Sequence, residues 1–123
     1  LTRPRDLERQ YADPVVLSGA HADMRLASEE TFGPVATITS YASSEEAVRL
    51  ANDTAYGLSA TISGDPEAAR PVAAKLRAGL VTVNSWGPDS GAPFGGYKQS
   101  GNGREFGAYG LRDFMEVKTL VGA

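Results

Sequence analysis

A chain of 123 residues, 41% apolar and 22% charged, is long enough to bury one core and ordinary in make-up for a soluble globular protein, which excludes a disordered or fibrous polymer. A net charge of −3 and a pI near 5.1, without any lysine or arginine run, give no electrostatic reason to bind nucleic acid or an anionic membrane, and no apolar stretch nears the roughly 20 residues of a membrane span. With no cysteine there is neither a disulfide framework nor a thiol nucleophile, and without an export signal the cytosol is the default compartment.

The chain opens on Leu1 rather than Met, and its first eleven residues are charged and broken by Pro4, so a truncated sequence is expected. From Asp13 to Gly19, Pro14-Val15-Val16-Leu17-Ser18 reads as a short strand, because branched side chains suit a pleated surface. His21 to Ser28 has no clear period and reads as a loop. Glu29 to Pro34 forms a turn, with Gly33 free to take positive φ and Pro34 starting a second strand, Val35–Tyr41.

Ser43 and Glu46 make a capping box ahead of Ala47, Val48, Leu50 and Ala51, which predicts a helix with one apolar face ending at Asn52-Asp53-Thr54. That tripeptide also matches a glycosylation sequon, a coincidence in a chain without an export signal. Gly57–Ser63 is the third strand. Asp65 as N-cap and Pro66 at the first position open a second helix, closed by Lys75, Arg77 and an αL Gly79, with a kink expected at Pro71. Leu80-Val81-Thr82-Val83 is nearly continuously apolar, the pattern of a strand covered on both faces in a parallel sheet.

Strand, helix, strand, helix, strand implies an α/β fold with a parallel sheet and right-handed crossovers. Ligands in such folds bind beyond the carboxyl ends of the strands, where the loop Asn84–Gly107 begins, and seven of the 14 glycines fall between Gly91 and Gly110. Leu111–Val121 reads as a last short helix passing into an edge strand.

Several familiar chemistries are excluded. Gly101-Asn102-Gly103-Arg104-Glu105-Phe106-Gly107 is one residue too long for a dinucleotide fingerprint, and Lys98 stands before Gly101 rather than after it as a Walker loop requires. One histidine, His21, and no cysteine leave no metal site, and no G-x-S-x-G elbow presents a serine.

Taken together, Glu29-Glu30-Thr31-Phe32-Gly33-Pro34-Val35, Asn52-Asp53-Thr54-Ala55-Tyr56-Gly57-Leu58, Gly79 to Asn84, Pro93 to Gly107 and Glu116-Val117-Lys118 resemble the aldehyde dehydrogenase superfamily in the correct order, over nearly the whole chain. The resemblance implies the C-terminal part of that fold: a partial parallel sheet with crossover helices, residues 1–112 in the catalytic domain and 113–123 beginning the oligomerisation segment. It implies an enzyme that oxidises an aldehyde to a carboxylic acid with NAD or NADP.

On the residues alone, Glu30 is a solvated turn carboxylate and Phe32 a core anchor. The resemblance moves both to the cofactor, Glu30 to the nicotinamide ribose and Phe32 to the neighbourhood of the ring, as two ribose hydroxyls and a ring needing a fixed pose require. It also sets Leu58 against the nicotinamide and Phe94 in the aldehyde pocket, whose apolar walls exclude water, with core packing as the alternative for each. Trp86 faces substrate or packs. Glu105 matches a glutamate in a proton path, or else pairs with Arg104 or Lys98. Leu120 and Val121 fall in a strand that joins subunits, so a homo-oligomer is expected.

The family's cysteine nucleophile, oxyanion-binding asparagine, general-base glutamate and cofactor loop have no counterpart in the chain, so the isolated polypeptide is expected to be inactive. The alternatives are a non-catalytic binding or assembly module derived from the same fold, and a semialdehyde or coenzyme-A-acylating dehydrogenase. The intact Phe94-Gly95-Gly96-Tyr97-Lys98 and Gly103-Arg104-Glu105 pattern leans toward the hydrolytic branch.

Overall fold

A computed structural model of the chain describes residues 11–87 and 89–122. It divides between Thr54 and Ala55 into two compact units, each built on a two-stranded parallel sheet. The α/β class and the parallel pairing are as expected, with the strands falling into two separate pairs.

In the first unit β1 (Val15–Ser18) pairs with β2 (Val35–Ile38), Val15 opposite Val35 and Ser18 opposite Ile38. The ladder runs one bond further at each end, from Val15 N–H to the Pro34 carbonyl and from Gly19 N–H to that of Ile38. The pairing ends at Ser18 and Ile38, and among the described residues β2 has no partner to continue it to Tyr41. The Thr39 hydroxyl closes the end of the pair on the carbonyl of Ala20, which is 5% exposed.

The segment read as a loop contains a single-turn helix, α1 (Arg25–Ser28). Four residues are too few to show a helical period. What holds the turn is local: the Ser28 hydroxyl donates to the Met24 carbonyl, and Arg25 grips Glu29 through Nε and Nη2 at 2.9 and 2.7 Å. The guanidinium keeps the Glu29 carboxyl below the ordinary carboxylate range. In the turn that follows, Gly33 does not take positive φ. The chain reverses instead through two tight steps, Gly33 N–H to Thr31 O and Val35 N–H to Gly33 O, each spanning two residues.

The second helix, α2 (Ser44–Asn52), begins at the expected cap: Ser43 Oγ accepts the Glu46 N–H at 3.2 Å. Glu46 reaches back one residue further than the usual box and accepts the Ala42 N–H at 2.8 Å. A cap of this kind stabilises a helix by about 1 kcal/mol.

In the second unit β3 (Ser59–Ile62) pairs with β4 (Leu80–Val83), Ser59 opposite Leu80 and Ile62 opposite Val83. Asn84, at φ 51°, prolongs the pair with its side chain, accepting from Gly64 N–H and donating to Gly64 O as a backbone unit would. The crossover helix α3 (Pro66–Ala73) has the predicted Asp65 cap, which accepts the Ala68 N–H at 2.9 Å, and buries Ala69 to 4% as it lies against β4.

α3 runs through Pro71 and stops at Ala73, well short of Gly79, and the chain unwinds through three-residue turns at Lys75 and Leu76. Gly79 is therefore not the helix cap, and it does not take positive φ. Its lack of a side chain serves another purpose: a Cβ there would overlap the carbonyl of Gly95, which crosses directly against it.

The last helix, α4 (Gly107–Arg112), starts earlier than the sequence suggested. The expected edge strand does not form: from Phe114 to Gly122 the chain has no regular structure. A strand exists only where a neighbour accepts its hydrogen bonds, and the described residues offer none here. Val117 and Val121 are 95% and 92% exposed. Among the described residues no helix is long and apolar enough to cross a membrane.

Candidate functional site

The glycine-rich loop after β4 is tied down at both its ends. The turn Lys98–Ser100 is a single turn of 3-10 helix lying along the residues that lead into β3. Tyr97 N–H donates to Gly57 O and Gln99 N–H to Ala55 O, while Ser100 Oγ accepts the Gly57 N–H at 3.0 Å. Gly57 O also accepts from Gly79 N–H, and Leu80 N–H reaches Leu58 O. Gly57 is thus held by bonds from two directions, and Leu58 beside it, bonded to Leu80, has its side chain 43% exposed.

Further along, Phe94 and Glu105 form an antiparallel bridge with bonds of 2.8 and 2.7 Å in the two directions. This closes the stretch between them into a loop. Its interior is held by Arg104, whose Nη1 donates to the carbonyls of Gly103 at 2.7 Å, Gly96 at 3.0 Å and Asn102 at 3.3 Å. The guanidinium carbon also sits 5.5 Å from the centre of the Tyr97 ring, which has Arg77 at 5.7 Å as well.

Among the described residues no salt bridge joins Arg104 to Glu105. Phe94 meets Phe106 at a ring separation of 6.4 Å, and Phe106 holds φ 62°, a conformation rare for a bulky side chain.

These pieces line an open cavity of about 370 Å³. Leu58 and Phe94 supply its apolar wall, Ser100, Arg104, Glu105 and Asp113 its polar one, and Gly95, Gly96 and Gly103 leave the backbone exposed between them. The size is within the range of small-ligand sites. Three of the residues singled out in the sequence, Leu58, Phe94 and Glu105, are therefore brought together. Trp86 stands outside the lining, 95% exposed.

Glu30 and Phe32 belong to the other unit. There Phe32 is 97% exposed, which rules out an anchor in a core of the described residues, and Glu30 is exposed beside it. With Glu29 engaged by Arg25, Glu30 is the carboxylate this turn offers to a ligand. His21 is exposed, and among the described residues no group of three or more histidine, cysteine or acidic side chains is placed to hold a metal.

No sequence pattern points to Ser100, Asp113 or the anchoring by Arg104. One signal was available: an arginine among glycines faces bare carbonyls that need donors.

A family model described as the aldehyde dehydrogenase family matches residues 2–120. The chain belongs to the aldehyde dehydrogenase family. Among curated relatives, the 3-succinoylsemialdehyde-pyridine dehydrogenase of a Pseudomonas species is 50% identical over 124 residues, covering 99% of this chain and 26% of that protein. The betaine aldehyde dehydrogenase of Bacillus subtilis strain 168 is 48% identical over 121 residues, covering 94% and 25%.

Among solved structures, aldehyde dehydrogenase C of Pseudomonas syringae, a variant in complex with NAD+ and octanal, superposes with a TM-score of 0.82 at 48% identity, covering 86% of this chain and 22% of that one. The Mycobacterium tuberculosis aldehyde dehydrogenase complexed with NAD+ gives 0.81 at 38%, covering 85% and 22%. The chain spans about a quarter of the length of the curated relatives it matches.

Proposed function

We propose that the chain is one section of an NAD(P)-dependent aldehyde dehydrogenase, supplying part of the cofactor surface and one wall of the aldehyde pocket. The observation that carries this reading is the convergence of Leu58, Phe94 and Glu105 on one cavity, framed by a glycine loop whose shape Arg104 and Ser100 hold. The solved relatives that match this region bind NAD+, and one of them octanal.

The residues present suit a nicotinamide cofactor. Glu30 is an exposed carboxylate able to accept from two ribose hydroxyls, and Phe32 an exposed aromatic face beside it. The bound cofactor would supply the hydride acceptor. Leu58 and Phe94 keep water from the reacting carbon, and Glu105 takes up or passes a proton at the polar side of the cavity. The thiolate that attacks the aldehyde comes from outside these 123 residues, which contain no cysteine.

The test is made on the full coding sequence, with the 123-residue chain as control. The full protein is expected to reduce NAD+ or NADP+ only when an aldehyde is present, and the chain alone to show no reduction above a blank. Within the full protein, Glu30→Gln is expected to raise the KM for the cofactor about tenfold, the loss of roughly one charge-assisted hydrogen bond, with a smaller effect on the KM for aldehyde. Absence of aldehyde-dependent reduction across short and long aldehydes would sink the reading.

Residues 113–123 are, in the same proposal, the start of a segment that joins subunits. The exposure of Val117, Leu120 and Val121 supports it. The full protein should then sediment as an oligomer, and a monomer would contradict it.

A further inference from the structure

The chain has three asparagines, Asn52, Asn84 and Asn102, and the structure treats them very differently. Asn52 ends α2. Asn84 has both side-chain atoms engaged, its oxygen by Gly64 N–H at 2.9 Å and its nitrogen by Gly64 O at 2.7 Å. Asn102 is exposed, and its one hydrogen bond among the described residues is made by its backbone carbonyl, with Arg104.

It stands between Gly101, at φ 100°, and Gly103, around which a Cβ would meet nothing nearer than Asp113 Oδ2 at 4.0 Å. Neither neighbour restricts the backbone, and among the described residues no partner holds the side chain or the Gly103 N–H. That combination leaves the carboxamide free to swing onto the next backbone nitrogen.

We propose that Asn102-Gly103 is a self-modification site, at which the asparagine loses ammonia and the product releases the Arg104 anchor. The Gly103 nitrogen attacks Asn102 Cγ, the Cγ–Nδ2 bond breaks, and ammonia departs with the proton given up by Gly103. Water then opens the cyclic imide at one carbonyl or the other, leaving aspartate or isoaspartate. No oxidant or reductant is needed, and the reactants are the chain and solvent.

The position gives the change its effect. Arg104 Nη1 reaches the carbonyls of Gly96, Asn102 and Gly103 together. Isoaspartate adds one methylene to the backbone between the Gly96 and Gly103 carbonyls and turns the Asn102 carbonyl into the free carboxylate, aspartate carries the charge on its side chain, and either sets a carboxylate beside the guanidinium. The arginine is drawn to that charge and leaves Gly96, so the wall formed by Gly96, Arg104 and Glu105 loosens. This does not depend on the enzymatic reading above, because it is a reaction of the chain itself.

The test incubates the folded protein, and the same protein in denaturant, at mildly alkaline pH, with tryptic mass mapping over time. Cleavage after Lys98 and Arg104 isolates Asn102 in the short peptide Gln99 to Arg104. In the folded protein Asn102 is expected to convert at close to its denatured rate, while Asn84 is slowed by folding. Comparing each site with its own denatured rate removes the plain effect of the following residue.

Amide exchange of Phe94 and Glu105, which bond each other across the loop, is expected to speed up as conversion proceeds, and to stay constant in Asn102→Ala. If folding protects Asn102 as strongly as Asn84, the site is not exposed in the sense proposed. If exchange is unchanged in the converted fraction, or accelerates equally in Asn102→Ala, the link to Arg104 is wrong.

Discussion

Gly79→Ala is expected to break the seam between β4 and the glycine loop, at a cost of about 3 kcal/mol or more. A Cβ at Gly79 overlaps the Gly95 carbonyl oxygen, lies 2.7 Å from its carbon and 3.4 Å from the Gly96 Cα. All of these are backbone atoms, so no rotamer change relieves the clash. One strand or the other must move, and with it go the bonds from Gly79 N–H to Gly57 O and from Leu80 N–H to Leu58 O.

The measurement is a thermal or urea midpoint together with amide exchange at Gly79, Leu80 and Tyr97, all expected to lose protection. Gly19→Ala is the control, since Gly19 has φ 77° but nothing within 4 Å of a Cβ. It should cost only the left-handed penalty of roughly 1 kcal/mol. Equal effects at the two positions would show that crowding at Gly95 does not matter.

Arg104→Met should cost about 2–3 kcal/mol and open the cavity wall. Methionine keeps much of the stem but leaves the carbonyls of Gly96 and Gly103 without their charged donor and removes the cation from the Tyr97 face. Arg104→Lys restores the charge, but its shorter stem does not carry the nitrogen to where Nη1 alone meets the three carbonyls, so it should recover only part of the loss. Urea midpoints of the three proteins give the order, and amide exchange at Phe94 and Glu105 locates the damage. A methionine variant as stable as the parent would mean that solvent satisfies those carbonyls equally well.

The elements that were legible in the sequence are those that carry their own local physics. Ser43 with Glu46, Asp65 with Pro66, and the run Leu80–Val83 each announce a start or a strand within a few residues, and the structure has them where they were expected. What stayed hidden is non-local. Gly79 is needed because of Gly95, a residue that no local pattern connects to it. The single turn α1 is held by Arg25 and Glu29 rather than by an apolar face.

The end of the chain reads as a short helix passing into an edge strand, but a strand depends on a neighbouring strand, and none is present there among the described residues. At the site, motif spacing led to Leu58, Phe94 and Glu105, which share a cavity. It could not reveal Ser100 or Arg104, whose contributions are bonds to backbone atoms that have no letter in the sequence.

Phe32, Trp86, Val117 and Val121, all more than nine-tenths exposed, also bear on the fate of the polypeptide in a cell. Large apolar side chains held in water are what quality-control chaperones and proteases seize, and each one left uncovered adds to the time a chain spends in their hands. In the longer enzyme proposed above, those four side chains are therefore where cover from the rest of the protein is expected.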